Sequence, residues 1–209
     1  LLDAGVLNAI LLAGTATMEC KSSMGLVVAA PTAGSCGVLP GTCLAAAEFL
    51  GLDEDEAVKA LLAAGIIGVF IARGATFSAE IGGCQAECGS ASGMSAAGLV
   101  TLAGGSLEQA VAAASMALQS SLGMICDPIA NRVEAPCLGK NAMAAANALS
   151  AANMALAGFD PLIPFDEVLA AMDQVGRSLP HALRCTGLGG LSLTKTSRAI
   201  EERLKQARK

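Results

Sequence analysis

Sulfur is the element this chain offers most freely for chemistry. Cys20, Cys36, Cys43, Cys84, Cys88, Cys126, Cys137 and Cys185 are spread over 209 residues. None of them forms a CxxC pair, so neither a structural zinc site nor a ferredoxin-type run is indicated. Cys84 and Cys88 are spaced i, i+4 and share one face if the segment is helical. Cys126 and Cys137 bracket the stretch CDPIANRVEAPC, which gathers Asp127, Arg132 and Glu134 with two prolines in a chain only 15% charged. Three well-separated thiolates can hold a cubane iron–sulfur cluster whose fourth iron then acts as a Lewis acid. The same spacing also suits cysteines used as small buried hydrophobes, the commonest fate of a free thiol. Disulfides belong mainly to short secreted chains with thin cores, so reduced thiols are expected here.

A second candidate is PTAGSCGV, Pro31 to Val38. Proline and glycine shape a tight loop that delivers Ser35 and Cys36 to a helix start. Free N–H groups and the helix dipole there favour an anion, and the hydroxyls of Thr32 and Ser35 can add donors. Ordinary N-capping by Ser35 explains the pattern equally well. His181 is the single histidine and a weak candidate for a general base. Lys140 raises a pyridoxal-phosphate Schiff base, but no phosphate cradle accompanies it. TGLGGL, Thr186 to Leu191, lacks the strand and spacing of a nucleotide loop. Glu80, Glu87, Asp127 and Glu134 can orient ligands from behind or simply be solvated.

These residues need helices to position them. Apolar residues make up 54% of the chain and aromatics 2%, so the core must be Ala, Leu, Ile, Val and Met. Small side chains let helices approach closely. Helices are expected over Leu1–Met18, from Ser35 or Cys36 to Phe49, and from Asp53, as N-cap, to about Gly74. More are expected over about Cys84–Ala103, after a capping box at Ser106–Gln109, over about Leu138–Leu156, over Asp166–Ser178 with Asp166 as N-cap, and over Thr196–Ala207. Cys126–Pro136 reads as an irregular loop. No stretch alternates long enough to build a sheet. The fold class is therefore all-α, one compact multi-helix domain of about eight helices with glycine-rich loops.

A net charge of −5 and the absence of a basic stripe with aromatic platforms argue against nucleic acid. The uncharged runs Ala60–Ala72 and Gln109–Cys126 are too short or too polar to span a bilayer, and both read as buried helices. No membrane association is expected. The chain opens on Leu1 without a secretion signal, so a fragment or processed chain in the cytoplasm is expected.

Four ordered blocks carry a family resemblance: MGLVVAAPTAGSCGVLPG, GGCQAECGSASGMSAA, CDPIANRVEAPCLGKNAMAAANALSAANMALAG and TGLGGL. Together they resemble the α chain of iron–sulfur-dependent L-serine dehydratases, from about Met24 to about Leu191. The resemblance implies a [4Fe–4S] cluster and β-elimination of water from L-serine to give pyruvate and ammonia. It implies Cys84, Cys126 and Cys137 as cluster ligands, with Cys88 a neighbour. It also implies Thr32, Gly34 and Ser35 as contacts of the substrate carboxylate, and leaves the general base unassigned. A β chain or upstream domain is the expected partner, and a homo-oligomer is compatible with it. Where family members often carry an NASMG-like segment, this chain has KSSMG, with Lys21 at the Asn position. No cysteine follows Cys185 to cap a fourth iron. A related L-cysteine desulfidase and a non-catalytic helical subunit with structural cysteines are the alternatives.

Overall fold

The computed structural model describes residues 2–132 and 134–207. Within them the chain forms nine α-helices and no strand. Two isolated backbone pairs, Cys126 with Arg184 and Ile129 with Arg132, are the extended contacts seen there. The all-α expectation holds.

The helices are α1 (Val6–Ser22), α2 (Leu39–Phe49), α3 (Glu54–Gly74), the single turn α4 (Ala79–Gly82), α5 (Ser90–Leu102), α6 (Leu107–Gln119), α7 (Glu134–Leu156), α8 (Phe165–Ser178) and α9 (Lys195–Gln206). Helix α5 is the axis of the fold, and α2, α3, α6 and α7 pack around it. Its sequence, SASGMSAAGLVTL, explains this position. Every residue but Thr101 is buried, and the side chains are small enough for neighbours to close in on all sides. Two of its three buried serines find hydrogen-bond partners, and Ser90 Oγ has none among the described residues. Ser95 Oγ donates to the Ala91 carbonyl at 2.7 Å, and Ser92 Oγ donates to Ala144 O at 2.8 Å while accepting from Asn147 Nδ2.

Small residues also set the crossing of α1 and α2. A Cβ on Gly41 would lie 2.8 Å from the Gly14 backbone, and one on Gly14 would lie 2.9 Å from the Gly37 carbonyl oxygen. Helix starts follow their sequence signals. Asp53 Oδ1 accepts from Glu56 N at 3.0 Å, and Ser106 and Gln109 cap one another reciprocally.

Four expectations are corrected. The first helix starts at Val6 and runs on to Ser22. Helix α2 starts at Leu39, because Ala33–Ser35 forms its own 3-10 turn first, with Thr32 and not Ser35 ahead of it. The cap position of α8 falls on Pro164, which leaves Asp166 in the first turn, favoured there by the dipole. Helix α3 is not a wholly buried helix. One side packs on α5, and the other exposes Val58, Leu62, Ile66, Val69 and Phe70. By length and composition alone, α3 is long and apolar enough to cross a membrane.

Candidate functional site

Cys84 stands between α4 and a turn of π-helix, Gln85–Gly89, that leads into α5. Gly83 before it has φ +72°, and a Cβ there would meet the Met124 carbonyl oxygen at 2.7 Å. Only glycine lets the Cys84 backbone approach the next loop so closely. Gln85 then stitches the two together. Its main-chain N–H donates to Met124 O at 3.1 Å, its Oε1 accepts from Gly123 N at 2.8 Å, and its Nε2 donates to Met172 O at 2.7 Å.

That loop carries Cys126. Its backbone N–H donates to Leu183 O and its carbonyl accepts from Cys185 N, both at 2.9 Å. The pairing seats Cys126 against Cys84 and Ala79, with Cys185 beside them. Cys185, isolated in the sequence, therefore joins the thiol group. Cys137 lies in the first turn of α7, which starts at Glu134 and thus earlier than the sequence pattern suggests. Pro136 falls in that first turn, where a missing N–H costs nothing. Cys137 packs with Met18 and Cys36. Cys20 is exposed, and Cys43 is buried among the helices against α5. All eight thiols are free.

Lys140, one turn past Cys137, ties the pieces. Its Nζ donates to Asp127 Oδ1 and to Ile125 O, each at 2.7 Å, and stands 3.8 Å from Cys84 Sγ. Asp127 Oδ2 accepts from Leu191 N at 3.0 Å. Gly190 (φ +59°) allows that contact, since a Cβ there would fall 2.6 Å from Asp127 Cβ. TGLGGL is thus a backbone cover on a buried carboxylate.

The electrostatics follow from burial and neighbours. A hydrogen bond from Cys126 to the Cys84 sulfur holds the Cys84 thiol below its usual range, with Lys140 adding to the effect. The same contact, with burial, keeps Cys126 protonated. Burial, reinforced by Cys84, pushes Cys137 up to about 12, and Cys88 is raised well above the ordinary thiol value for the same reasons. Burial works against the Lys140 ammonium, but its bond to Asp127 and the nearby sulfurs outweigh it, so it is held charged.

The loop Thr32–Ser35 adjoins this group through two residues. Asn141, one turn past Cys137, donates through Nδ2 to Gly34 O at 2.8 Å and to Cys137 O at 2.7 Å. Its Oδ1 accepts from Gly37 N at 3.1 Å, and its Nδ2 also stands 3.8 Å from Cys88 Sγ. Glu87, one turn past Cys84, accepts from Thr32 Oγ1 at 2.8 Å. Thr32 Oγ1 and Ser35 Oγ lie 3.0 Å apart. Burial raises the Glu87 carboxyl above its usual value, against the pull of the Thr32 bond. His181 is exposed in a short turn, and its carbonyl, not its ring, makes the hydrogen bonds seen there.

The sequence model of the serine dehydratase alpha chain matches residues 2–192. The chain belongs to the serine dehydratase alpha chain family. It is 49% identical over 189 residues to the probable L-serine dehydratase, alpha chain, of Bacillus subtilis (strain 168), covering 90% of this chain and 63% of that protein. It is 50% identical over 184 residues to the L-serine dehydratase, alpha chain, of Peptoniphilus asaccharolyticus, covering 88% and 63%. L-serine dehydratase 1 of Escherichia coli (strain K12) is 38% identical over 180 residues, covering 85% of this chain and 40% of that protein. The chain thus spans somewhat under two thirds of the first two relatives.

For a serine dehydratase alpha chain, the donor set is suited to an iron–sulfur cluster. Cys84, Cys126 and Cys137 are buried, reduced and drawn from three different segments. Among the described residues no three of His, Cys, Asp and Glu converge as a single metal ion would require. Cys84 and Cys126 pack together, while Cys137 packs with Met18 and Cys36, and thiolate donors are the right chemistry for a cluster. Lys140 and Asn141 were missed as organisers by sequence reasoning. The signal was present, since they stand three and four residues past Cys137 and share its helix face.

Proposed function

We propose that this chain is the catalytic domain of an L-serine ammonia-lyase, removing water from L-serine by β-elimination to give pyruvate and ammonia. Cys84, Cys126 and Cys137 would hold a [4Fe–4S] cluster. When bound, that cluster supplies a Lewis acid for the departing hydroxyl, a poor leaving group on its own. The observation carrying this reading is the meeting of Cys84 and Cys126 with Lys140, which stands one turn past Cys137, beside the Thr32–Ser35 loop, in a chain of this family. Lys140 places a fixed positive charge at the Cys84 sulfur and so favours its thiolate form. Thr32, Gly34 and Ser35 hold the amino-acid head group, and Asn141 fixes their distance from Cys137.

A β chain, or an upstream domain, completes the enzyme, and the cytoplasm is the compartment that keeps eight thiols reduced. The test is iron and sulfide content after anaerobic reconstitution, followed by pyruvate formation from L-serine with the partner added. Loss of bound iron in Cys84→Ala, Cys126→Ala and Cys137→Ala, with Cys43→Ala unaffected, is the expected result. Equal iron content across all four variants refutes the ligand assignment.

A further inference from the structure

The hydrogen bonds around the Thr32–Ser35 loop have a direction. A hydroxyl has one proton to give, and Thr32 gives its proton to Glu87 Oε1 at 2.8 Å. In the 3.0 Å contact between the two hydroxyls, Ser35 must then be the donor. Both protons run toward Glu87, with Ser35 fully buried behind a part-exposed Thr32. Glu87 itself sits tightly against the loop, since a Cβ on Gly34 would lie 2.7 and 2.9 Å from its two carboxylate oxygens.

This carboxylate is half-buried and forms no ion pair among the described residues. The ion pairs among the described residues are Lys59–Glu56, Arg132–Glu134, Lys140–Asp127, Arg177–Asp173 and Lys205–Glu201. Neither Lys21 nor Lys140 reaches Glu87 as an ion pair. The buried Asp127, a few residues from the same thiols, has its lysine, so the absence at Glu87 is local and specific. A partly desolvated carboxylate without a counter-ion attracts a cation. Residual exposure of Glu87 and of Thr32 and Gly34 leaves the group reachable from outside.

We propose that Glu87 is the counter-ion for the α-ammonium of the amino acid held at the Thr32–Ser35 loop, and so selects amino acids over the corresponding hydroxy acids. The inference rests on the amino-acid lyase reading given above and names what that reading leaves open, the group that recognises the amine. Thr32 is a positioning residue that aims the carboxylate, and Ser35 aims Thr32.

The experiment uses the cluster-loaded enzyme with its partner chain. KM and kcat for L-serine are measured together with the inhibition constant of 3-hydroxypropanoate, which keeps the carboxylate and the β-hydroxyl but lacks the amine. Glu87→Gln should raise KM for serine by about 10–100-fold, the worth of one charge-assisted hydrogen bond. The inhibition constant of 3-hydroxypropanoate should stay level or fall, and Glu87→Asp should recover part of the loss. Parallel weakening of serine and 3-hydroxypropanoate would overturn the proposal, because it would mean that Glu87 only shapes the loop. So would an unchanged KM, with or without loss of kcat. A parent enzyme that makes no pyruvate from serine defeats the lyase reading itself. That outcome is distinct from an active parent whose Glu87→Gln variant keeps its selectivity.

Discussion

Lys140 and Asp127 form the most buried ion pair among the described residues, at 2.7 Å with side chains 18% and 7% exposed. Removing the lysine alone strands a carboxylate in a poorly solvated place. Lys140→Met should therefore cost about 3–5 kcal/mol of stability. Adding Asp127→Asn should restore most of it, since an amide oxygen still accepts from Leu191 N without needing a cation. Urea denaturation of the two variants against the parent checks this. The cysteines of this region were visible in the sequence as residues capable of chemistry. Their companions were less so. Nothing local says that Cys185 will face Cys126, because that meeting depends on a backbone pairing across 58 positions. Asn141 reads as one more polar residue in a helix until its four partners are seen.

Helices were the most legible level. Asp53, the Ser106–Gln109 box and the run of small residues in α5 all act as their types suggest. Boundaries failed where local chemistry overrode pattern. The expected loop runs to Pro136 and the expected helix starts at about Leu138, yet proline within a first turn is compatible with helix, and α7 begins at Glu134. The apolar content of α3 suggested burial on all sides, but a helix at the edge of the bundle meets neighbours on one side only. Glycine shows how much the partner element matters. Gly41 touches the α1 backbone, whereas Gly65 in α3 has nothing within 4 Å of where a Cβ would stand. Gly41→Ala should destabilise by about 1–3 kcal/mol through overpacking. Gly65→Ala should stabilise by about 1 kcal/mol through helix propensity. Opposite shifts in thermal midpoint are the expected readout.

Across the whole molecule, the C-terminal segment is fastened onto the loop between α6 and α7. Cys126 pairs with residues 183–185, Asp127 with Leu191, Pro128 O with the Ser192 hydroxyl, and Ala130 N with Ser197 Oγ at 2.7 Å. Ser197 is buried, so Ser197→Ala leaves the Ala130 N–H without an acceptor, at a cost of about 1–3 kcal/mol. Amide exchange should then speed up in both α9 and residues 126–132, because the two are held by the same bonds. Faster exchange in α9 alone would show that the loop keeps its shape unaided.

The same fastening bears on the order of events during synthesis. Cys84, Cys126 and Cys137 leave the ribosome well before residues 183–197, so the early thiols emerge while the strap that covers Asp127 and seats Cys126 is still untranslated. A nascent chain at that stage has exposed sulfur and an incomplete enclosure. The enclosure around Cys126 and Asp127 is therefore complete only once residues 183–197 have been made and have folded back onto the loop.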